Sequence, residues 1–384
     1  MPPLPPVAAE SFLPLDLRAL PRQLAAEARA LVTPGPRMVD EWACIASVML
    51  AIVLAHWIGA RMVAWAAFTA FVLMKGDARE TTLRGVLRIV GTGCGAALAL
   101  ALVPLAARSL PMAMASAALV GTVSLYGMLT ARRAYAWLLV GLTFEMILLD
   151  KLEHPTLDTY AFAQTRLLEV VAGTIACVAV SLSVGLFTRG MASAAPIETP
   201  SRMYWHPAAA RHAAQAGVTL ALLPLLHDLA GIPELAQAGV TIMAVMIVPV
   251  TGLASGGLAP VSRRLLHRAI GCLSGSALAL TVLLVADGSV PVLVAGTVAG
   301  ILIGRHMENG STRAPYIGLQ FTLAILVVLV PDSYAAAEIR PGVQRLASIL
   351  IGMALLEPVL LAWHAVGGRR IARDGSIGEV RGSE

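Results

Sequence analysis

Charged residues are scarce in this sequence. Only 13% of its 384 residues are Asp, Glu, Lys or Arg, whereas about a quarter is usual in soluble domains. Long polar stretches are also missing, and the longest candidates are residues 1–38, 188–212 and 366–384. The rest of the chain is hydrophobic in blocks of about twenty residues, the length that one helix needs to cross a bilayer. These shortages argue against an independent soluble domain and predict an all-α membrane protein.

Cysteine is scarce too, and motifs of cofactor or metal chemistry are missing. The four cysteines lie inside hydrophobic blocks without a C-x-x-C spacing, so we expect no disulfide framework and no metal site. Neither a G-x-x-x-x-G-K-[ST] motif for ATP nor an H-E-x-x-H motif for zinc occurs, and His306-Met-Glu308 does not match the latter. We therefore expect no enzymatic activity and no cofactor. The cysteines are Cys44, Cys94, Cys177 and Cys272.

Positive charge is concentrated on one side of the predicted membrane spans. If the N-terminus is inside, six of the 28 Lys and Arg residues fall on the outer side, and all others lie on inner segments. This asymmetry is the positive-inside pattern. It predicts a bacterial inner (plasma) membrane protein with both termini in the cytoplasm, and it accounts for the net charge of +5 without a nucleic-acid partner. The six are Arg61, Arg108, Lys151, Arg166, Arg340 and Arg345.

The hydrophobic blocks predict about twelve transmembrane helices. The second span of each half is short. The first six spans are 39–57, 62–75, 86–107, 111–130, 134–150 and 166–187, and the second six are 213–230, 235–250, 265–286, 289–304, 314–331 and 343–365.

These spans divide the chain into two membrane halves, 39–187 and 213–365. A cytoplasmic linker, 188–212, would join them, and a cytoplasmic tail, 366–384, would follow. The N-terminal arm, residues 1–38, begins with prolines and continues with leucines interleaved with arginines. This pattern is typical of a basic amphipathic helix on the membrane lipid, but also of a disordered arm.

One motif occurs in both halves at the same spacing. Arg84, Arg88, Gly91 and Gly95 in the first half correspond to a second set in the other half. On a helix, the two arginines lie on one face, and the two glycines form a GxxxG motif that lets helix backbones pack closely in lipid. The second set is Arg264, Arg268, Gly271 and Gly275.

Further matches extend the repeat along the chain. Gly141-Leu-Thr-Phe144 corresponds to Gly318-Leu-Gln-Phe321, and Arg166 and Arg345 each stand seven residues before a glycine. Because each half has an even number of spans, the halves would form two parallel six-helix repeats related by an axis along the membrane normal. We expect a substrate site in the crevice between them.

These motifs resemble the fusaric acid resistance family. The resemblance rests on Arg88-Ile-Val-Gly91-Thr-Gly-Cys-Gly95 after a short span that contains Trp65, and on Arg166 before Gly173 in the sixth span. The resemblance covers nearly the whole membrane region. The chain resembles the compact members of the family, which lack the large cytoplasmic domain. The family includes aromatic carboxylic acid efflux proteins and is distantly similar to plant malate-type anion channels. It implies proton-driven export of organic anions, with a periplasmic membrane-fusion adaptor as a candidate partner.

The four arginines of the repeated motif have two interpretations. Arg84, Arg88, Arg264 and Arg268 would lie at the cytoplasmic interface, where snorkelling arginines anchor membrane helices. Alternatively, they form an electropositive vestibule that gathers anions, because guanidinium matches a carboxylate bidentately. Four other arginines are interpreted as ordinary anchors of inner loops: Arg132, Arg133, Arg305 and Arg313.

Glu145 and Glu357 are candidates for proton coupling. Glu145 lies inside an apolar span where the other half has Thr322, and an ionisable residue in a span indicates a proton or ion path. The alternative is that it reaches the outer water near Asp150. Glu357 precedes Pro358, so a kinked helix with a carboxylate could line the pathway. A plain kink with Glu357 paired to an inner arginine is the alternative.

Arg166 and Arg345 lie at the outer side, against the charge asymmetry. Arg166 has Glu169 one turn away, whereas Arg345 has Ser348 at that spacing. A structural ion pair and an anion-release site both fit the sequence.

The sequence thus predicts an efflux transporter that exports small organic anions, with aromatic carboxylic acids as the expected class, by proton coupling. A passive organic-anion channel and a non-transporting scaffold of an envelope or secretion complex are the alternatives. An oligomer is compatible with all three.

Overall fold

In the computed structural model, the described residues are 27, 29–31, 33–187, 205–253, 258–310, 315–330 and 339–380. Within these ranges the chain forms helices and connecting loops and no strand. The predicted amphipathic segment lies largely outside the described residues, as does most of the predicted linker. The helices are α1 (Pro36–Trp57), α2 (Val63–Leu73), α3 (Ala78–Ala106), α4 (Leu110–Thr130), α5 (Ala134–Glu153), α6 (Thr159–Phe187), α7 (Pro207–Ala230), α8 (Ala236–Val245), α9 (Val250–Leu253), α10 (Leu258–Ala286), α11 (Val290–Glu308), α12 (Pro315–Leu329) and α13 (Ile339–Val380).

Eight of these helices are long and apolar enough to cross a membrane: α1, α3, α4, α6, α7, α10, α11 and residues 342–365 of α13. Helices α2, α8 and α12 are apolar but shorter, and α5 contains the charged residues Glu145, Asp150, Lys151 and Glu153. Large apolar side chains such as Trp57, Phe187 and Leu229 are exposed, as expected where lipid surrounds the protein. The described part of the chain is therefore all-helical and has the helices of a multi-pass membrane protein, while the count of twelve crossings stays a prediction.

Local sequence signals set several helix ends. The Asp77 carboxylate accepts hydrogen bonds from the backbone amides of Arg79 and Glu80, at 3.3 Å each, and so caps the start of α3. Gly231 ends α7 in the left-handed conformation, with φ of 58°. Pro249 stands four residues after the end of α8, and it has no backbone N–H to donate to a continued helix.

Contacts between helix ends define two faces of the protein. The start of α1 meets the end of α11 through Asp40 and Arg305, and we name this side the near face. The end of α5 meets the loop before α8 through Glu153 and Glu234, and we name this side the far face. Successive long helices therefore run in alternating directions.

Both GxxxG motifs lie at close helix contacts. A methyl group in place of the Gly91 hydrogen would lie 2.5 Å from the Ala136 carbonyl oxygen, and one on Gly95 would lie 2.6 Å from that of Val140. In the second half, Gly271 and Gly275 lie equally close to the backbone of α12. The motif thus packs α3 on α5 and α10 on α12, where a larger side chain would collide with backbone.

The same helix pairs recur in both halves. Helix α4 packs on α5 as α11 packs on α12, and α2 packs on α6 as α8 packs on α13. Contacts between the halves also occur in equivalent pairs. The contact of α4 with α7 corresponds to that of α11 with α1, and the contact of α5 with α8 corresponds to that of α12 with α2. The two largest clusters of buried apolar side chains each contain residues from both halves. The halves therefore share their cores.

Candidate functional site

Glu145 lies buried where the two halves meet. Its side chain is 0% exposed, and neither carboxylate oxygen has a hydrogen-bond partner among the described residues. A methyl group on Gly121 of α4 would lie 3.5 Å from Glu145 Oε1, and a methyl group on Gly239 of α8 would lie 3.7 Å from Glu145 Cβ. An ionised carboxylate without hydrogen bonds would cost several kcal/mol here, so the neutral acid fits these surroundings.

The position of Glu145 excludes one of its predicted alternatives in this conformation. The side chain does not reach water near Asp150, because it is fully enclosed. Its counterpart Thr322 is also 0% exposed, but the Thr322 hydroxyl donates a hydrogen bond to the Gly318 carbonyl at 3.3 Å. The titratable group is thus specific to the first half.

Arg88 and Arg268 are buried in equivalent surroundings. The Arg88 Nε donates to the Thr69 hydroxyl at 3.1 Å, and another guanidinium nitrogen donates to the Tyr135 hydroxyl at 2.7 Å. Arg268 donates to the Thr241 hydroxyl at 3.0 Å and to Gln320 Oε1 at 2.6 Å.

Each of these threonines belongs to a short helix, Thr69 to α2 and Thr241 to α8. All four partners of the two arginines are neutral, and in the described part of the chain neither guanidinium has a carboxylate partner. Each half therefore holds a buried positive charge that no carboxylate within the described ranges compensates.

Arg84 and Arg264 lie closer to the near face and differ from each other. Arg84 pairs with Glu80 at 2.8 Å, and its side chain is 38% exposed. The Arg264 guanidinium lies 4.2 Å from the centre of the Tyr316 ring and donates to the Ala244 carbonyl at 3.2 Å. Of the four arginines in the repeated motif, the structure thus buries the second of each pair most deeply.

Arg166 and Arg345 have carboxylate partners at the far face. Arg166 lies 3.2 Å from Glu169 and packs against the Trp65 and Phe162 rings. Arg345 does not use Ser348, whose hydroxyl accepts from the Ala238 amide at 3.0 Å. It lies instead 3.9 Å from Glu234 and donates to a backbone carbonyl. These contacts favour structural ion pairs over an anion-release site.

A cluster of titratable residues forms around these two arginines. Glu153 Oε2 accepts a hydrogen bond from the Glu234 amide at 2.7 Å, which joins the two halves. Burial raises the pKa of the Glu234 carboxyl, although the nearby Arg345 opposes this shift. We name this group the far-face cluster: Asp150, Glu153, His154, Arg166, Glu234 and Arg345.

Glu357 is held at the contact between α10 and α13. Its Oε1 accepts from the Ser262 hydroxyl at 3.0 Å, and its Oε2 is buried without a partner in the described ranges. The arginine partner considered from the sequence is not among its contacts in these ranges. Pro358 lies inside α13 as predicted.

The structure also contains an ion-pair network that the sequence interpretation missed. Arg305 is 3% exposed and contacts both Asp40 oxygens, at 2.7 and 2.9 Å, and also Glu308. The interpretation of Arg305 as an ordinary loop anchor was therefore wrong. Beside it, His306 Nδ1 lies 2.6 Å from Glu41, which also lies 3.3 Å from Arg37. We name this group the near-face network: Glu27, Arg37, Asp40, Glu41, Lys75, Arg305, His306 and Glu308.

The near-face network ties α1 of the first half to α11 of the second half. A signal for it was present in the sequence, since Asp40 and Glu41 stand at the start of one apolar span and Arg305 and His306 at the end of another. Among the described residues no group of three His, Cys, Asp or Glu side chains could hold a metal ion.

One comparison with known proteins gives a match. The model of the fusaric acid resistance protein family matches residues 44–216, from α1 into α7. No curated protein and no solved structure gives a significant match. The matched region contains Arg84, Arg88, Glu145 and Arg166. Residues 44–216 are therefore similar to the fusaric acid resistance protein family, the family that the arginine and glycine motifs of this region predict.

Proposed function

We propose that this chain is an inner-membrane efflux transporter that exports small organic anions in exchange for protons. Aromatic carboxylic acids are the proposed substrate class. The family match and the eight apolar helices support membrane transport. The observation that carries proton coupling is Glu145, which is fully buried between the halves and has no hydrogen-bond partner in the part of the chain that the structure describes.

Two parallel six-helix halves form the proposed architecture, with the near face in the cytoplasm. The recurring helix contacts support it, because each pair in the first half has a counterpart in the second. Short helices at corresponding positions of two halves point to the binding site of a transporter. Helices α2 and α8 fit this description.

The proposed anion site consists of Arg88 and Arg268. Both guanidinium groups are buried against a short helix, and neither charge is compensated by a carboxylate among the described residues. A carboxylate substrate would supply that charge and the bidentate hydrogen bonds that guanidinium prefers. Arg84 and Arg264 would attract the anion from the cytoplasm, while Arg166 and Arg345 stabilise the far face as ion pairs.

The exchange is favourable in electrical terms. An anion that leaves and a proton that enters move two charges in the favourable sense, and each charge contributes about 2.3 kcal/mol per 100 mV of membrane potential. Glu145 would carry the proton because it can be neutral when enclosed and ionised when exposed to water. Glu357, nearer the near face, is the second candidate for this step.

Uptake by inverted membrane vesicles tests the proposal. A panel of labelled benzoates is offered with a pH gradient that is acidic inside, with and without a protonophore. We expect accumulation that the protonophore abolishes and that Glu145→Gln removes, while Glu80→Gln at the near face retains it. Movement that ignores the protonophore would instead identify a channel. No movement, even with a co-purified periplasmic adaptor, would identify a scaffold.

A further inference from the structure

One face of α5 connects Glu145 with the far face. Glu145, Leu149 and Glu153 are spaced four residues apart and therefore lie in a row along the helix. Helix α8 packs on this row. A methyl group on Gly239 would lie 3.3 Å from Leu149 and 3.7 Å from Glu145, and the Glu234 amide binds Glu153. We name this contact the α5–α8 seam.

Leucine side chains fill the seam between its two carboxylates. Leu149 is 3% exposed, and Leu223 of α7 also approaches Gly239, at 3.6 Å from a methyl group placed there. Glu145 and Glu153 are eight residues apart, about 12 Å along a helix. A proton cannot cross that distance without water or a relay, so the leucines separate Glu145 from the far-face cluster.

The equivalent row of the second half has no titratable group. The corresponding residues are Thr322 and Leu326 of α12 and Val330, which follows the end of α12 directly; all three are buried. The leucine is retained, whereas both carboxylates are replaced by neutral residues. Carboxylates at both ends of the row are therefore a feature of the α5–α8 seam and not of the shared architecture.

We infer that the α5–α8 seam is the route by which Glu145 exchanges its proton with the far face, and that Leu149 is its apolar barrier. The inference rests on the proposed function. Because α5 and α8 belong to different halves, a relative movement of the halves would open the seam and admit water. The proton would then pass from far-face water to Glu153, and from Glu153 through the admitted water to the carboxylate of Glu145.

Proton flux in liposomes tests the route without substrate. The purified full chain is reconstituted with a pH-sensitive dye inside, and potassium with valinomycin compensates the charge. Leu149→Asn is expected to raise the proton flux several-fold over the unaltered protein, and Leu149→Asn combined with Glu145→Gln is expected to return it to background. The matched control is Leu326→Asn, the equivalent leucine of the second half, for which we expect no increase.

Two results would overturn the route. One is a Leu149→Asn flux no greater than that of Leu326→Asn. The other is an increase that persists when Glu145 is replaced. If Glu145→Gln abolishes proton-coupled uptake while Leu149→Asn has no effect, the route is wrong and the proposed function stands.

A milder substitution covers the case in which Leu149→Asn does not fold. Glu153→Gln changes only the far end of the row. We expect it to slow proton-coupled uptake several-fold, while Asp228→Asn, an exposed carboxylate at the far end of α7, leaves uptake unchanged. Equal rates for Glu153→Gln and the unaltered protein would contradict a route through this seam.

Discussion

The two equivalent junctions between the halves are built from different chemistry. In the α4–α7 junction, a methyl group on Gly217 would lie 2.6 Å from the Ala118 carbonyl oxygen, so the backbones are in close contact. In the α1–α11 junction, the near-face network joins the helices through charged side chains. Close packing gains dispersion energy and resists sliding, whereas charged side chains that move apart can replace an ion-pair partner with water. We therefore expect the α4–α7 contact to stay closed as a pivot, so that the movement of the halves about it opens the α1–α11 junction and the α5–α8 seam.

The largest effect is expected from a larger side chain in the glycine junction. Gly217→Val would place its side chain against the Ala118 carbonyl and Thr122, so the backbones of α4 and α7 would have to move apart and the contacts along the whole junction would be lost. We expect loss of most folded protein in size-exclusion chromatography after extraction in mild detergent. Gly93→Val is the matched control, since nothing lies within 4 Å of a methyl group there. Equal yields for the two variants would contradict a close-packed junction.

Removal of one ion from the near-face network should come next. Arg305→Met leaves Asp40 and Glu308 without their buried partner, which typically costs about 3–5 kcal/mol. We expect a lower thermal midpoint in detergent, with part of the loss recovered in the double variant Asp40→Asn, Arg305→Met. If the double variant is as unstable as the sum of the two single variants, the pair is not coupled.

Substitution of the two buried arginines tests whether equivalent positions of the two halves both bind the anion. Arg88→Gln and Arg268→Gln each remove a guanidinium from an equivalent position, and a hydrogen bond to a charged group contributes about 1.5–3 kcal/mol. We expect each variant to raise the apparent KM for a labelled benzoate by about tenfold or more with little change in folded yield. A change of KM in only one of them would restrict anion binding to one half.

The smallest effect is expected at the near face of the first half. Arg84 is 38% exposed and paired with Glu80 one turn away, and exposed ion pairs contribute about 0–1 kcal/mol. Arg84→Gln should therefore leave the thermal midpoint nearly unchanged and should affect uptake mainly at low salt, where long-range attraction of anions is strongest. A loss of folded protein would show that Arg84 belongs with the buried network instead.

Features that depend on local spacing could be predicted from the sequence. The helix blocks, the two GxxxG motifs and the Arg166–Glu169 pair all follow from residues within one or two turns of each other. The isolated Glu145 could be identified too, because a single carboxylate in an apolar span is conspicuous. These signals need no knowledge of which helices are neighbours.

Features that depend on tertiary neighbours could not be predicted in this way. Arg305 and Asp40 are 265 residues apart in the chain, and no local pattern shows that α11 ends beside the start of α1. Arg345 likewise pairs with Glu234 of a preceding loop, although Ser348 is nearer in sequence. The burial of Arg88 and Arg268 also depends on threonines of other helices, which the sequence alone does not bring together.

The most direct measurement of the central claim is the simultaneous record of proton and anion flux in liposomes that contain the purified chain. A dye reports protons while a labelled benzoate reports the anion, under an imposed pH gradient. We predict that the two fluxes move in opposite directions in a fixed ratio, and that Glu145→Gln abolishes the proton flux and the uphill anion flux together. Anion movement without a linked proton flux, or an unchanged ratio in Glu145→Gln, would contradict proton exchange at Glu145.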